Sequence, residues 1–137
     1  MIYNYYIIFY IFISFLFPKQ DIECLLCNNK SSFSVLVITE TKGFVHRSAI
    51  KAGKELLVNL GKKNNFNLYH SKYSEVITQD NLRNFNTIIF LNTTADILNS
   101  NEQEAMENFI RNGNGFVGIH SAADTEYKWS WYGKLVG

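Results

Sequence analysis

Apolar positions fall into short blocks separated by polar stretches, and the blocks alternate between two spacings. Ser34-Val35-Leu36-Val37-Ile38-Thr39 is a β-branched apolar run and predicts a strand covered on both faces. Ile50 to Lys62 has helical spacing, with Ile50, Leu56, Leu57 and Leu60 on one side, lysines elsewhere and Gly61 at its end. Phe66-Asn67-Leu68-Tyr69-His70-Ser71 alternates and predicts a second strand. Thr78 to Asn84 reads as a short helix, and the apolar Thr87-Ile88-Ile89-Phe90-Leu91 as a third strand. Ser100 with Gln103 forms a capping-box pattern for a helix from Asn101 to Arg111, ended by Gly113 or Gly115. Phe116-Val117-Gly118-Ile119 is the fourth strand, which the pattern predicts to be buried.

The resulting order is β-α-β-(α)-β-α-β. Helices between apolar strands predict right-handed crossovers, hence an α/β fold with a doubly wound parallel sheet. In such sheets the ligand crevice lies at the carboxyl ends of the strands. That rule selects three loops: Thr39–Ser48, Asn92–Asp96 and His120–Tyr132.

Ahead of this region the pattern changes. Met1 to Pro18 carry no charged side chain, and Ile7 to Phe17 are an apolar run. Its length fits a signal-peptide core better than a full span, which needs about 20 apolar residues. Tyr3, Tyr5 and Tyr6 extend it toward a signal anchor, so the segment predicts an exported or cell-envelope protein, with membrane anchoring through residues 5–17. A basic residue before the run and a small-x-small cleavage site are both missing; if the segment is a mis-assigned start, the protein is cytoplasmic. Cys24 and Cys27 have CxxC spacing, but no redox-type strand–helix context follows, no further cysteine completes a zinc set, and no small residue precedes either one as a lipoprotein site requires. They read as a pair in a leader or linker. Residues 1–32 are thus leader and linker, and residues 33–137 the domain.

Composition narrows the class. The 137 residues amount to about one domain on the usual ~100–200 residues each. Charged residues are 18% of the chain, below a typical ~25%, so part of the chain is expected to sit away from water. The net charge of +1 offers no electrostatic reason to expect a nucleic-acid partner.

Three segments carry a family resemblance. They are Thr39-Glu40-Thr41-Lys42-Gly43-Phe44-Val45-His46, then Ile89-Phe90-Leu91-Asn92-Thr93-Thr94, then Gly113-Asn114-Gly115-Phe116-Val117-Gly118-Ile119-His120-Ser121-Ala122-Ala123-Asp124-Thr125, continued by Trp129 to Gly137. Together they resemble the ThuA-like family, named for trehalose utilisation, over roughly residues 33–137. Val45 stands where that family usually has an Arg before the loop His, which withdraws an anion-binding role there. The resemblance implies a flavodoxin-like sandwich similar to the class I glutamine amidotransferases, and a full domain about twice as long, of which this is the N-terminal portion. It also implies a carbohydrate ligand, trehalose or a related disaccharide or keto-sugar. In the amidotransferases a nucleophilic Cys occupies a Gly-x-Cys turn after a strand. The matching turn here is Gly118-Ile119-His120, so cysteine-based amidotransfer is not expected.

His120 could be a general acid–base, a metal ligand or a hydrogen-bond donor, or could simply fix its loop. His46 lies within reach of it across the carboxyl edge, and Asp124 could orient His120, bind sugar hydroxyls or cap a helix. These three are the catalytic candidates of a sugar-active enzyme. Trp129, Trp131 and Tyr132 could stack on a sugar ring or pack a domain edge. Thr93 and Thr94 could line the crevice or cap a helix. Lys42 and Ser121, in the same loops, complete the substrate-binding candidates. His46, His120 and Asp124 could also hold a metal, but no HxH or HExxH spacing supports one, and no cofactor is expected. A binding module without turnover, or an inactive fragment, fits the same residues.

Overall fold

The structure is a computed structural model that describes residues 21–137. The apolar leader, including residues 5–17, lies outside the described residues. Five strands form one sheet: β1 (Glu23–Leu26), β2 (Ser34–Ile38), β3 (Asn67–Ser71), β4 (Thr87–Leu91) and β5 (Gly115–Ile119), in the order β1-β3-β2-β4-β5. β2, β3, β4 and β5 are parallel, and β1 runs antiparallel on the outside of β3. Helices α1 (Arg47–Asn64), α2 (Gln79–Leu82), α3 (Ser100–Arg111) and α4 (Ser130–Val136) connect or follow the strands, with single 3-10 turns at Ser74–Val76 and Ala122–Asp124. Taken alone, the parallel strands lie in the spatial order second, first, third, fourth, which is the flavodoxin-like arrangement.

The period-2 geometry of a strand sends alternate side chains to opposite faces, and both faces are covered here. Leu36, Ile38, Ile88 and Phe90 face one core, with Ala105, Met106 and Phe109 of α3 and Tyr132 of α4. Val35, Val37, Ile89 and Leu91 face the other, with Leu57 of α1. This is the doubly wound sheet expected from the apolar runs.

Several local expectations change. α1 starts at Arg47, and its buried residues are Leu57 and Gly61. Leu56, expected on the packed side, is 58% exposed, and Leu60 is exposed as well. The packed stripe is Gly53, Leu57 and Gly61, one residue every four, because the glycines let the helix lie close against Leu91 and Leu26. Gly61 therefore lies inside the last turn, and Asn65, with φ 56°, ends the helix in the left-handed region. The box that starts α3 is Asn99 with Glu102, not Ser100 with Gln103: the Asn99 side chain accepts from the Glu102 N–H, and the Glu102 carboxylate accepts from the Asn99 N–H. Among the described residues β5 is the outer strand on its side of the sheet, and Val117, expected to be buried, is 44% exposed.

The stretch read as linker supplies β1. Its Cys24 and Cys27 are joined in a disulfide, with Cα atoms 6.1 Å apart. Among the described residues no helix is long and apolar enough to cross a membrane.

Candidate functional site at the carboxyl edge

The three loops selected by the strand-end rule meet, and backbone bonds extend the sheet order into them. Lys42 N–H donates to the Thr94 carbonyl at 3.1 Å, and Ala95 N–H donates to the Asp124 carbonyl at 2.7 Å. Isolated parallel bridges pair Thr41 with Thr94 and Ala95 with Thr125. The loops after β2, β4 and β5 thus form a stitched rim.

His46, just before α1, and His120, just after β5, come together on this rim. Their rings are 5.1 Å apart between centroids, edge to face, and Phe44 packs on His46 at 4.8 Å. His46 is half-buried, His120 is exposed, and Phe44 is 72% exposed. Neither imidazole has a hydrogen-bond partner among the described residues, so both keep their ring nitrogens available for a ligand. Asn92, directly after β4, has φ 56°, and its amide donates to the His120 carbonyl. The Asn92 Oδ1 is buried without a partner among the described residues. A cavity of about 340 Å³ opens beside His120 along the outer side of β5, lined by Phe116, Gly118, Ala123, Leu135 and Val136.

Of the remaining candidates Ser121 also lines this cavity, and the others do not. Thr93 and Thr94 are fully buried: the Thr93 hydroxyl bonds that of Thr125 at 2.8 Å, and Thr94 donates to the Phe44 carbonyl at 3.2 Å. The Ser121 hydroxyl donates to the Thr93 carbonyl at 3.1 Å. Lys42 reaches sideways, donating to the Ile97 carbonyl at 3.0 Å and pairing with Glu40 at 3.6 Å. Trp129 stacks on Trp131 with centroids 4.8 Å apart and on Tyr132 at 6.0 Å, and the group packs on the core. Tyr132 is 1% exposed, and burial pushes its phenol well above the usual value. The Asp124 side chain is exposed and bonds nothing among the described residues; the group beside His120 is His46.

Two buried carboxylates, which the sequence reading passed over, lock the rim from behind. Glu102 accepts from the Ser74 hydroxyl at 3.0 Å as well as from Asn99, and burial raises its pKa. Glu126, with φ 56°, accepts from Leu98 N–H and from the Gln103 amide, each at 2.7 Å. Glu102 was detectable as the third residue of a box begun by Asn99. Nothing in local sequence marks Glu126, whose partners are more than 20 residues away. No three His, Cys, Asp or Glu side chains gather as a metal site among the described residues.

A mostly parallel sheet in this strand order, with its polar centre at the carboxyl edge, defines a flavodoxin-like α/β protein. At the elbow after β5 it carries His120, while both cysteines sit on or beside β1, at the far edge of the sheet. The ThuA family, described as trehalose utilisation, matches residues 34–137, and the chain belongs to that family. A crystal structure of a putative ThuA-like protein from Bacteroides uniformis is similar, at 27% identity and a TM-score of 0.60, over 82% of this chain and 46% of the other. The chain therefore spans less than half the length of that relative. No curated protein matches the chain significantly.

Proposed function

We propose that this chain handles a carbohydrate of the trehalose type, a disaccharide or keto-sugar, at the carboxyl edge of its sheet, with His120 and His46 as the contacting groups. The observation that carries this reading is the unpartnered His46–His120 pair on the stitched rim. Two adjacent imidazoles can donate to one sugar hydroxyl and accept from the next. An imidazole can also serve as a general acid or base, which gives His120 the acid–base role in an enzyme. His46, rather than Asp124, is then its neighbour in that role. The exposed Phe44 ring beside His46 favours a second reading, binding without turnover, because a flat aromatic face suits the apolar face of a sugar.

Proton NMR of the imidazole C–H signals, with the full chain titrated against trehalose and keto-sugars, tests the proposal. Saturable shifts of His46 and His120 together, lost in His120→Ala, support it. A broad sugar panel that moves neither signal overturns it. Product formation by wild type but not by His120→Ala separates the enzyme from the binding module.

We infer as well that the protein works outside the reducing cytosol, with residues 5–17 as its export or anchoring signal. The Cys24–Cys27 disulfide supports this, since such bonds persist in oxidising compartments. Recovery of the chain only from the cytoplasmic fraction would overturn it.

A further inference from the structure

A second cavity lies at the opposite, amino end of the sheet. It holds about 510 Å³, within the ~300–1,000 Å³ of small-molecule sites, and is lined by Cys27, Lys30, Lys62, Asn65 and Phe66 among others. Cys24 and Cys27, the only two cysteines of the chain, are both exposed and bonded to each other, and of the two Cys27 lines the cavity. No acidic residue lines the cavity, and neither Lys30 nor Lys62 has an ion-pair partner among the described residues. The C-terminal end of α1 adds a partial negative charge here, and Lys62 and Lys63 in its last turn oppose it. Hydrogen bonds, as well as the disulfide, tie the wall. Asn28 donates to Asn65 Oδ1 at 2.8 Å, Ser31 donates to the Asn65 carbonyl at 2.7 Å, and Asn28 N–H donates to Asn67 Oδ1 at 2.6 Å.

We propose that the Cys24–Cys27 disulfide is a thiol–disulfide exchange site, and that this cavity seats the incoming thiol, a small one bearing carboxylates. The inference is independent of the carbohydrate reading. The incoming thiolate attacks Sγ of Cys27, the cysteine that lines the cavity. A bond forms between those two sulfurs as the Cys24–Cys27 bond breaks, and the electron pair leaves on Cys24 Sγ, which takes a proton from water. A second small thiolate then attacks the first at its sulfur and releases the Cys27 thiolate. In sum, two small thiols become one disulfide, and the protein disulfide becomes two thiols. Lys30 and Lys62 attract the carboxylates and so raise the rate of the first attack.

The test treats the full-length chain with glutathione, which bears carboxylates, and with cysteamine, which bears an ammonium, at equal thiolate concentration. Intact mass and peptide mapping after acid quenching follow the mixed disulfide. The expected result is an adduct on Cys27 that forms about three- to tenfold faster with glutathione, the range that two exposed charges supply. Lys30→Gln with Lys62→Gln removes that advantage, and 1 M salt removes it from the unmodified chain. Both lysines are exposed, so the double variant leaves the core untouched, and the salt arm needs no variant. An adduct on Cys24, equal rates for the two thiols, an advantage that survives both treatments, no adduct at all, or free thiols in the untreated protein would each overturn the proposal.

Discussion

The Tyr132 hydroxyl donates to the Ala122 carbonyl across 2.7 Å of fully buried space, tying α4 to the turn after β5. The same ring stacks on Phe90 and meets Phe116 edge to face. Tyr132→Phe keeps the ring and strands the carbonyl, so chemical unfolding should show a loss of about 1–2 kcal/mol. Burial also keeps the phenol protonated beyond the ordinary tyrosine range. A folded pKa above the unfolded one stabilises the fold below the unfolded value, and that stability is lost as pH rises through the folded value. Ultraviolet titration should therefore show the Tyr132 phenol ionising above the ordinary tyrosine range. Ionisation of all tyrosines in one step near pH ~10, with the fold intact, would refute this.

That contact also shows what the sequence carried and what it did not. Val35 to Ile38 and Ile88 to Leu91 announce a sheet covered on both faces, because an uninterrupted apolar run fits no other place in an α/β domain. The strand-end rule then brought His46 and His120 to one rim, since topology alone fixes where strands end. The same rule could not say which way a loop side chain points. Tyr132 and Trp129 are as suited to a core as to a sugar, and Thr93 to a hydroxyl ladder as to a crevice. β1 was missed because Glu23-Cys24-Leu25-Leu26 is four residues long, lies on an edge and lacks a β-branched run. The Gly53–Leu57–Gly61 stripe was missed because a hydrophobic pattern counts large side chains, whereas this contact depends on having none.

Gly61 and Gly133 should respond oppositely to alanine. A Cβ on Gly61 would meet Leu26 Cδ2 at 2.7 Å and the Phe66 backbone oxygen at 3.1 Å, and the backbone atom cannot step aside. Overpacking costs about 1–3 kcal/mol against a helix-propensity gain of about 1, so Gly61→Ala should destabilise by about 1 kcal/mol. Around Gly133, within α4, nothing lies inside 4 Å, so Gly133→Ala should stabilise by about 0.5–1 kcal/mol. Urea midpoints moving in the same direction for both would contradict the packing of α1 on β1.

The start of α3 offers a sharper test of register. Asn99 accepts from the N–H groups of Asn101 and Glu102, at 2.9 and 3.1 Å. Asn99→Ala should cost about 1 kcal/mol in thermal or urea unfolding. Ser100→Ala, one residue on and exposed, should stay within about 0.5 kcal/mol. A larger effect at Ser100 than at Asn99 would place the cap where the sequence pattern first suggested it.

Two buried groups should oppose each other between mildly acidic and neutral pH. His70 bonds the Thr39 hydroxyl at 2.9 Å; burial and then the Lys54 charge lower its pKa below 6.5, while Glu23 at 3.5 Å works the other way. A lowered histidine is neutral in the fold and protonates first when unfolded, so its stabilisation is present above pH 6.5 and is lost as pH falls toward the folded value. Glu102 behaves inversely. Burial raises its pKa above 4.5, so its stabilisation is present below 4.5 and is lost as pH rises through the folded value. In the unmodified chain the two slopes partly cancel between these limits. Glu102→Gln can keep an acceptor for Asn99 and should expose the His70 slope, with stability rising with pH. His70→Gln should expose the Glu102 slope, with stability falling as pH rises. Urea unfolding of the three proteins at several pH values across this window decides the matter: curves that stay parallel would mean that neither group is linked to folding as its surroundings require.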